Sequence, residues 1–462
     1  MTTVQIRGDH AVEVQEWTSE ECVIGPRSPD KSCRTRAQLE NPRLVLPNES
    51  KDMLWLSAGL LRVEEIADEK LRKSQSDIEI VVSEPGRWLD VHESIEEILE
   101  LLLGVRVKVW IVEGHRSPSD EDSVQFKANS VVLFSGGVDS LVGILLARVL
   151  DERLIGAYVG HTAGVTGVVN RFADGILKKM QVPVWEYGLQ QTRRQLYQLR
   201  GFAYLISGMV TANAVRAEHL DVTECGITMF QPALLANDVV TMTTDPRLIE
   251  QTILIARKVL GRCPSVIRPF ENLTKAEVIA LCPEPELLGK THSCVSSQFS
   301  CAASSHCGTC WGCLIKECGA LVAGVIHPGW AKDVLRLDVG QEAGRRAGET
   351  VKEESLANMF LLFDFARHCL EDKLPWWTQS KIDEFRKNDL FRRFALDTYS
   401  ALHVIYGSDS PSGGNRYAAR AYDESIRRGL VTREELEDRI EEVRETKWQP
   451  DFEASFKGPL SW

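Results

Sequence analysis

Apolar positions along this chain change period several times, and each change marks an expected element. Val91, Ile95, Ile98, Leu99 and Leu102 recur at the spacing of one helical face, and Gly104 supplies a stop. Val105, Val107, Val109 and Ile111 then alternate, which predicts a half-buried strand. Before them, residues 1 to about 45 carry charges with Pro26, Pro29 and Pro42 and no long periodic stretch, so short strands are expected there. After them, Ser117-Pro118-Ser119-Asp120-Glu121-Asp122-Ser123 reads as a linker.

A different rhythm begins at residue 131. Val131–Phe134 is a continuous apolar run, followed by Ser135-Gly136-Gly137-Val138-Asp139-Ser140 and by Leu141–Leu150, which has helical length and composition. Strand candidates Leu154–Val159, Val182–Tyr187, Val222–Met229 and Ser265–Pro269 are separated by helix candidates Val169–Met180, Phe202–Val215 and Pro246–Leu260. That alternation predicts an α/β fold with a doubly wound parallel sheet. Cys313–Val322 predicts a short helix.

Beyond Val325 the pattern is helical, over Leu356–Leu370, Ile382–Tyr406, Arg416–Arg428 and Glu434–Glu445, the last introduced by Thr432 and Glu435 as a capping box. Ser408–Asn415 reads as a flexible loop and Gln449–Trp462 as a loosely held tail. The expected organisation is a small α+β domain over 1–113, a linker over 114–130, an α/β domain over 131–325 and a helical domain over 326–462.

Composition narrows the class. With 462 residues, 44% hydrophobic and 26% charged, the chain is neither disordered nor fibrous and is long enough for more than one core. No apolar run reaches the ~18 residues of a membrane span. The amino-terminal residues lack a secretory pattern and no lipidation signal closes the chain, so a cytoplasmic location is expected. Lys and Arg total 54 against 66 Asp and Glu, and the resulting charge of −12 disfavours nucleic acid as the main partner.

The strand, glycine loop and helix around Ser135–Ser140 place successive backbone N–H groups at the positive end of a helix, which makes an anion cradle. Gly136 and Gly137 let the backbone approach phosphate, and Ser135 and Ser140 add hydroxyls. Asp139 cannot serve an anion and is either a helix N-cap or a Mg²⁺ ligand. The spacing is neither that of the Walker loop nor Gly-x-Gly-x-x-Gly.

Six of the 12 cysteines cluster: Cys294, Cys301, Cys307, Cys310, Cys313 and Cys318. Cys307, Cys310 and Cys313 stand at two-residue intervals, and Cys294 upstream completes a tetrahedral Zn²⁺ set, with Cys301 an alternative to Cys294. A four-thiolate site of this kind is structural, with no open position.

Ser135-Gly136-Gly137-Val138-Asp139-Ser140 resembles the signature of the PP-loop ATP pyrophosphatases, a HUP-like α/β superfamily. The resemblance implies that Ser135, Gly136, Gly137, Val138, Asp139 and Ser140 bind the ATP pyrophosphate. Thr291-His292-Ser293-Cys294 followed by Cys307-Gly308-Thr309-Cys310-Trp311-Gly312-Cys313 is similar to the 7-cyano-7-deazaguanine synthase family (QueC), with the resemblance carried over 131 to about 323. Leu273-Thr274-Lys275 matches that family's Leu-Thr-Lys, so Lys275 would neutralise phosphate charge; together with Asp139 and Ser140 it is a candidate catalytic residue.

Departures from the family lie in the acceptor half. Arg200 and Phe202 stand loosely where the family's pocket-lining motif falls, Arg200 to pair with a carboxylate and Phe202 to stack on a purine-like ring, or equally as surface and core residues. Tyr158-Val159-Gly160-His161-Thr162 replaces the family's Tyr-Gly-Gln-x-His, and Glu224–Pro232 and Thr243-Thr244-Asp245-Pro246 have no counterpart; His161, Thr244 and Asp245 are candidate substrate residues. Extended forms of this kind resemble those of bacterial antiphage islands. The implied activity is an ATP-dependent ligase that adenylates 7-carboxy-7-deazaguanine and joins it to an amine, with a partner protein's amino terminus favoured as acceptor. Synthesis of the nitrile from ammonia and a non-catalytic ATP and zinc scaffold are the alternatives, and a homodimer is left open.

Overall fold

The computed structural model describes residues 2–6, 21–24, 33–36, 46–67, 76–104, 106–113, 127–150, 153–160, 177, 182–188, 198–230, 244–292, 308–325, 335, 349–373, 389–407 and 415–446. It is an α/β protein with two largely parallel sheets. The strands are β1 (Thr2–Ile6), β2 (Glu21–Ile24), β3 (Cys33–Arg36), β4 (Ser76–Val82), β5 (Lys108–Glu113), β6 (Ser130–Leu133), β7 (Leu154–Gly160), β8 (Val184–Gly188), β9 (His219–Asp221) and β10 (Ser265–Ile267). The α-helices are α1 (Asn48–Ala67), α2 (His92–Leu103), α3 (Val138–Leu150), α4 (Arg200–Val215), α5 (Gly226–Phe230), α6 (Pro246–Leu260), α7 (Lys275–Ala280), α8 (Trp311–Val322), α9 (Glu349–Leu370), α10 (Leu390–Tyr406), α11 (Arg416–Arg427) and α12 (Arg433–Glu445).

The first sheet has strand order β2-β1-β4-β5, all parallel. α2 covers it with Ile95, Ile98, Leu99 and Leu102 buried, and Gly104 is its C-cap, as the periodicity requires. Helix α1 was not signalled by an amphipathic stripe because residues 51–60 are buried on every side. This stretch lies in the core with its polar Asp52 satisfied by Ser83, and α1 packs between the first sheet and helices α4 and α6.

The second sheet has the order β10-β9-β6-β7-β8-β3. From β6 the chain steps outward through β7 and β8 on one side and then through β9 and β10 on the other, with parallel pairing throughout. β6 and β9 therefore flank a topological switch point, where a crevice opens at the carboxyl ends of the strands. β3 pairs antiparallel with β8, so the amino-terminal segment supplies the sixth strand. Its sequence, Cys-Arg-Thr-Arg, has no apolar alternation, as suits a strand at a sheet edge.

One expected strand is corrected. Val222–Met229 is not a strand: the paired register ends at Asp221, opposite Val132 and Ile267, the Val222 N–H makes the last bond, to the Ile267 carbonyl at 2.8 Å, and Gly226–Phe230 forms α5. Its apolar residues fill the core beyond the sheet end instead, with Cys225, Ile227 and Met229 fully buried. The expected helix Val169–Met180 lies outside the described residues apart from Leu177, as do the loop Ser408–Gly414 and the tail Gln449–Trp462. No helix among the described residues is long and apolar enough to cross a membrane.

The carboxy-terminal helices pack on the sheet's own helices: α10 and α12 contact α7 or α8, and α9 and α11 pack on α10. Trp311, Phe365 and Phe394 meet edge-to-face or tilted at 5.8–6.4 Å between ring centres, which joins α8 to α9 and α10.

Candidate functional site

The glycine loop leaves β6 at the switch point. Gly136 has φ 77°, a left-handed conformation that favours glycine. The two serines close the loop on itself: the Ser135 N–H donates to Ser140 Oγ at 3.3 Å, the Gly137 N–H donates to Ser135 Oγ at 3.3 Å, and Ser140 Oγ donates to the Gly137 carbonyl at 3.1 Å. Ser135 is exposed and Gly137 half-buried, so the loop is open to a ligand. Val138 is buried and opens α3.

Asp139 is buried in the first turn of α3 and is tied to other elements. Its Oδ2 accepts from Lys275 Nζ at 2.5 Å and from the Cys225 N–H at 3.1 Å. Its Oδ1 is buried without a hydrogen-bond partner. Of the two roles open from the sequence, the pairing with Lys275 leaves the capping role unsupported, and the vacant Oδ1 fits a cation ligand.

Lys275 is the first residue of α7, whose N-cap Thr274 and third residue Glu277 form a capping box. Burial alone would lower the Lys275 ammonium, but Asp139, Cys225 and Glu224 around it outweigh burial and raise it. The ammonium end of the Lys275–Asp139 contact is therefore charged at neutral pH.

Glu224 and Cys225 are functional candidates that sequence reasoning passed over. Burial, and then the charge of Asp139, raises the Glu224 carboxyl above its ordinary range. Burial pushes the Cys225 thiol up to about 12, so it is a neutral thiol beside the loop, not a thiolate nucleophile. The available signal was their place just after β9, across the switch point from the glycine loop.

Arg200 opens α4 and acts electrostatically on Glu224 and on Tyr204. Its Nε is buried without a hydrogen-bond partner, which suits a donor waiting for an anionic ligand. Phe202 takes the core alternative: its side chain is fully buried. Asp245 is a helix cap, accepting from the Arg247 N–H at 2.9 Å and pairing with Arg247 Nε at 3.2 Å as α6 begins at Pro246. Thr244 beside it is buried, and its Oγ1 has no hydrogen-bond partner. His161 lies outside the described residues.

Cys294, Cys301 and Cys307 lie outside the described residues. Cys310 is the N-cap residue of α8 and Cys313 is buried in its first turn, a three-residue spacing that puts both on one helical face. That placement fits two thiolates of a zinc site at a helix amino terminus, although among the described residues no group of three metal-binding side chains assembles. One turn further, Lys316 donates to the Leu288 carbonyl at 3.1 Å, the Thr291 carbonyl at 3.2 Å and Thr291 Oγ1 at 2.8 Å. Burial pushes its ammonium down to about 7. The His292 N–H then donates to the Gly136 carbonyl at 2.7 Å, so the cysteine helix and the glycine loop are joined through residues 288–292.

The close seating of α3 is testable. Gly143 faces Thr223, and a Cβ at 143 would collide with Thr223 Cγ2 and lie 2.7 Å from its Cβ. Gly143→Ala is expected to destabilise the protein by ~1–3 kcal/mol in denaturant unfolding. An unchanged midpoint would show that α3 shifts freely.

No protein-family model matches the chain, and a search of curated proteins finds no match.

Proposed function

We propose that this chain is an ATP-dependent carbon–nitrogen ligase of the PP-loop, QueC-like kind, acting on 7-carboxy-7-deazaguanine. The observation that supports it best is Asp139: one carboxylate oxygen engaged by Lys275 and the Cys225 N–H, the other buried and vacant, beside an open glycine loop. A buried carboxylate oxygen without a hydrogen-bond partner is uncommon, and a bound cation would satisfy it. The resemblance of Ser135–Ser140, Lys275 and the cysteine segment to QueC supplies the substrate class.

In this reading the N–H groups of residues 136–140 and the hydroxyls of Ser135 and Ser140 hold the β- and γ-phosphates. Mg²⁺, when bound, would neutralise charge on the phosphates, and Asp139 Oδ1 would hold it. Lys275 orients Asp139 through its hydrogen bond to Oδ2 and adds positive charge at the leaving pyrophosphate. Arg200 orients the substrate carboxylate, one oxygen of which attacks the α-phosphorus; the Pα–O–Pβ bond breaks and pyrophosphate leaves. An amine then attacks the acyl carbon of the adenylate, AMP departs with the bonding electron pair, and the nitrogen loses a proton to give an amide. Cys294, Cys307, Cys310 and Cys313 would hold Zn²⁺ in a structural role. The favoured acceptor is the amino terminus of a partner protein in an antiphage system, and the place of action is the cytoplasm.

Pyrophosphate release from Mg-ATP with 7-carboxy-7-deazaguanine tests the reading, with no acceptor, with ammonium, and with proteins encoded by neighbouring genes. Mass added to a neighbour's amino terminus is the expected result. A free nitrile formed with ammonium would replace conjugation by precursor synthesis. No turnover under any condition, with ATP still bound, would overturn the enzyme in favour of a scaffold.

A further inference from the structure

Both groups that hold Asp139 Oδ2 are backed by the carboxy-terminal helices. Lys275 sits on α7, a helix of six residues that is too short to hold its own conformation. Two positions on, and so on the opposite side of the helix, Glu277 points away from Asp139 and into the carboxy-terminal helices. Glu277 Oε2 accepts the Thr274 N–H at 2.9 Å, while Oε1 accepts from Arg439 Nη2 at 2.7 Å and from Arg393 Nη1.

Each arginine is itself fixed. Arg439, from α12, is 2% exposed and also donates to Asp397 Oδ1 at 2.7 Å and to Glu442 Oε2 at 2.8 Å. Arg393, from α10, donates to the Asn272 carbonyl at 2.7 Å, in the turn that leads into α7.

The second group is the Cys225 N–H. Gly226, next to it, is wedged against the same helix α10: a Cβ at 226 would collide with the Glu271 carbonyl oxygen and lie 2.6 Å from Leu390 Cδ2. The Gly226 N–H donates to the Phe270 carbonyl at 3.0 Å and the Leu273 carbonyl at 3.1 Å, which ties this segment to the turn before α7. Leu390 and Arg393, one turn apart on α10, thus press on both arms that grip Asp139.

We propose that the carboxy-terminal helices complete the nucleotide site, with Arg439 and Arg393 acting as positioning residues that hold Lys275 against Asp139 through Glu277. The proposal rests on Lys275 and Asp139 working in the ATP reaction proposed above. Its physical basis is that α7 bears charge on two opposite sides, one addressed by Asp139 and the other by two guanidinium groups that reach it from separate helices. Relaxing the second side lets the short helix rotate or fray, and Lys275 leaves its partner.

The test uses the full chain with Glu277→Gln, Arg393→Gln, Arg439→Met and Arg439→Lys. Lys275 labelling by an amine-acylating reagent, read by peptide mass spectrometry, reports its pairing without any turnover. Pyrophosphate release is measured alongside as separate kcat and KM for ATP. Glu277→Gln keeps an acceptor for the capping box and Arg393→Gln removes the more exposed arginine, so these two decide the matter if Arg439→Met fails to fold.

In both, with melting close to wild type, Lys275 labelling is expected to rise severalfold. In both, kcat is expected to fall about tenfold or more with a smaller change in KM, as a misplaced catalytic group produces. Arg439→Lys restores part of the kcat. Folded Glu277→Gln and Arg393→Gln with unchanged labelling and unchanged kcat would overturn the clamp. Raised labelling in a protein whose wild type has no turnover would sustain the clamp and sink the ligase reading alone.

Discussion

Asp139→Asn is expected to lower the kcat of pyrophosphate release by at least ~10²–10³, the scale on which a preorganised charge at a transition state acts. The substitution keeps the volume and removes the charge that both Lys275 and the Cys225 N–H address. Lys275, whose side chain is 12% exposed, then loses its ion-pair partner, and stability falls by about 3 kcal/mol. Adding Lys275→Met to the same chain removes the orphaned ammonium. Denaturant stability should then recover in the double variant while turnover stays absent. Turnover that survives Asp139→Asn would remove Asp139 from the reaction, and a double variant no more stable than the single would show that the pair contributes nothing to folding.

The largest loss of stability is expected from Arg439→Met. Glu277 and Asp397, both nearly buried, would lose the guanidinium that bridges them, at a cost of about 4 kcal/mol. The cost depends on pH, with a definite sign. Burial alone would raise Glu277, but Arg439 and Arg393 outweigh it and hold Glu277 below the ordinary glutamate range. A carboxylate held low contributes stability above its unfolded-state range and loses it as pH falls from there through its lower folded-state value. Asp397, pushed up to about 6 by burial against the pull of Arg439, protonates during the same descent. Once both carboxyls are neutral, little remains for Arg439 to compensate. Urea unfolding of wild type and variant at about pH 7 and about pH 4 should therefore show a gap that narrows in acid. A gap that widens would mean that the arginine is held by packing and not by these two carboxylates.

These effects bear on how much of the protein could be read from residue order. The glycine loop and its flanks were legible because each signal was local: a buried run for β6, two glycines, and an apolar helix. The expected Pro246–Leu260 is α6 with the same bounds, since Asp245 and Pro246 mark its start and Gly261 its end. The capping box at Thr432 and Glu435 forms as read. Local signals misled where tertiary structure set the limit. Val222–Met229 has strand composition, yet its pairing with β6 stops at Val132 and its last bond to β10 is from the Val222 N–H to the Ile267 carbonyl, and the chain turns into α5 instead. Phe202 stands two positions after a polar arginine, but those two helical steps turn it to the opposite side and into the core while Arg200 stays partly exposed.

The sequence by itself determined the α/β class, the strand, glycine loop and helix around Ser135–Ser140, and the cysteine spacing, because each depends on residues within a few positions of one another. Only the tertiary structure decided that Asp139 faces Lys275, that Cys225 and Glu224 stand beside them, and that Arg393 and Arg439 reach back to Glu277. Those partners are separated by up to 162 positions along the chain. A charged side chain is buried only where an opposite charge or a hydrogen-bonding group meets it, and which of many carboxylates and guanidinium groups meet is settled by the packing of helices and sheet, not by local sequence.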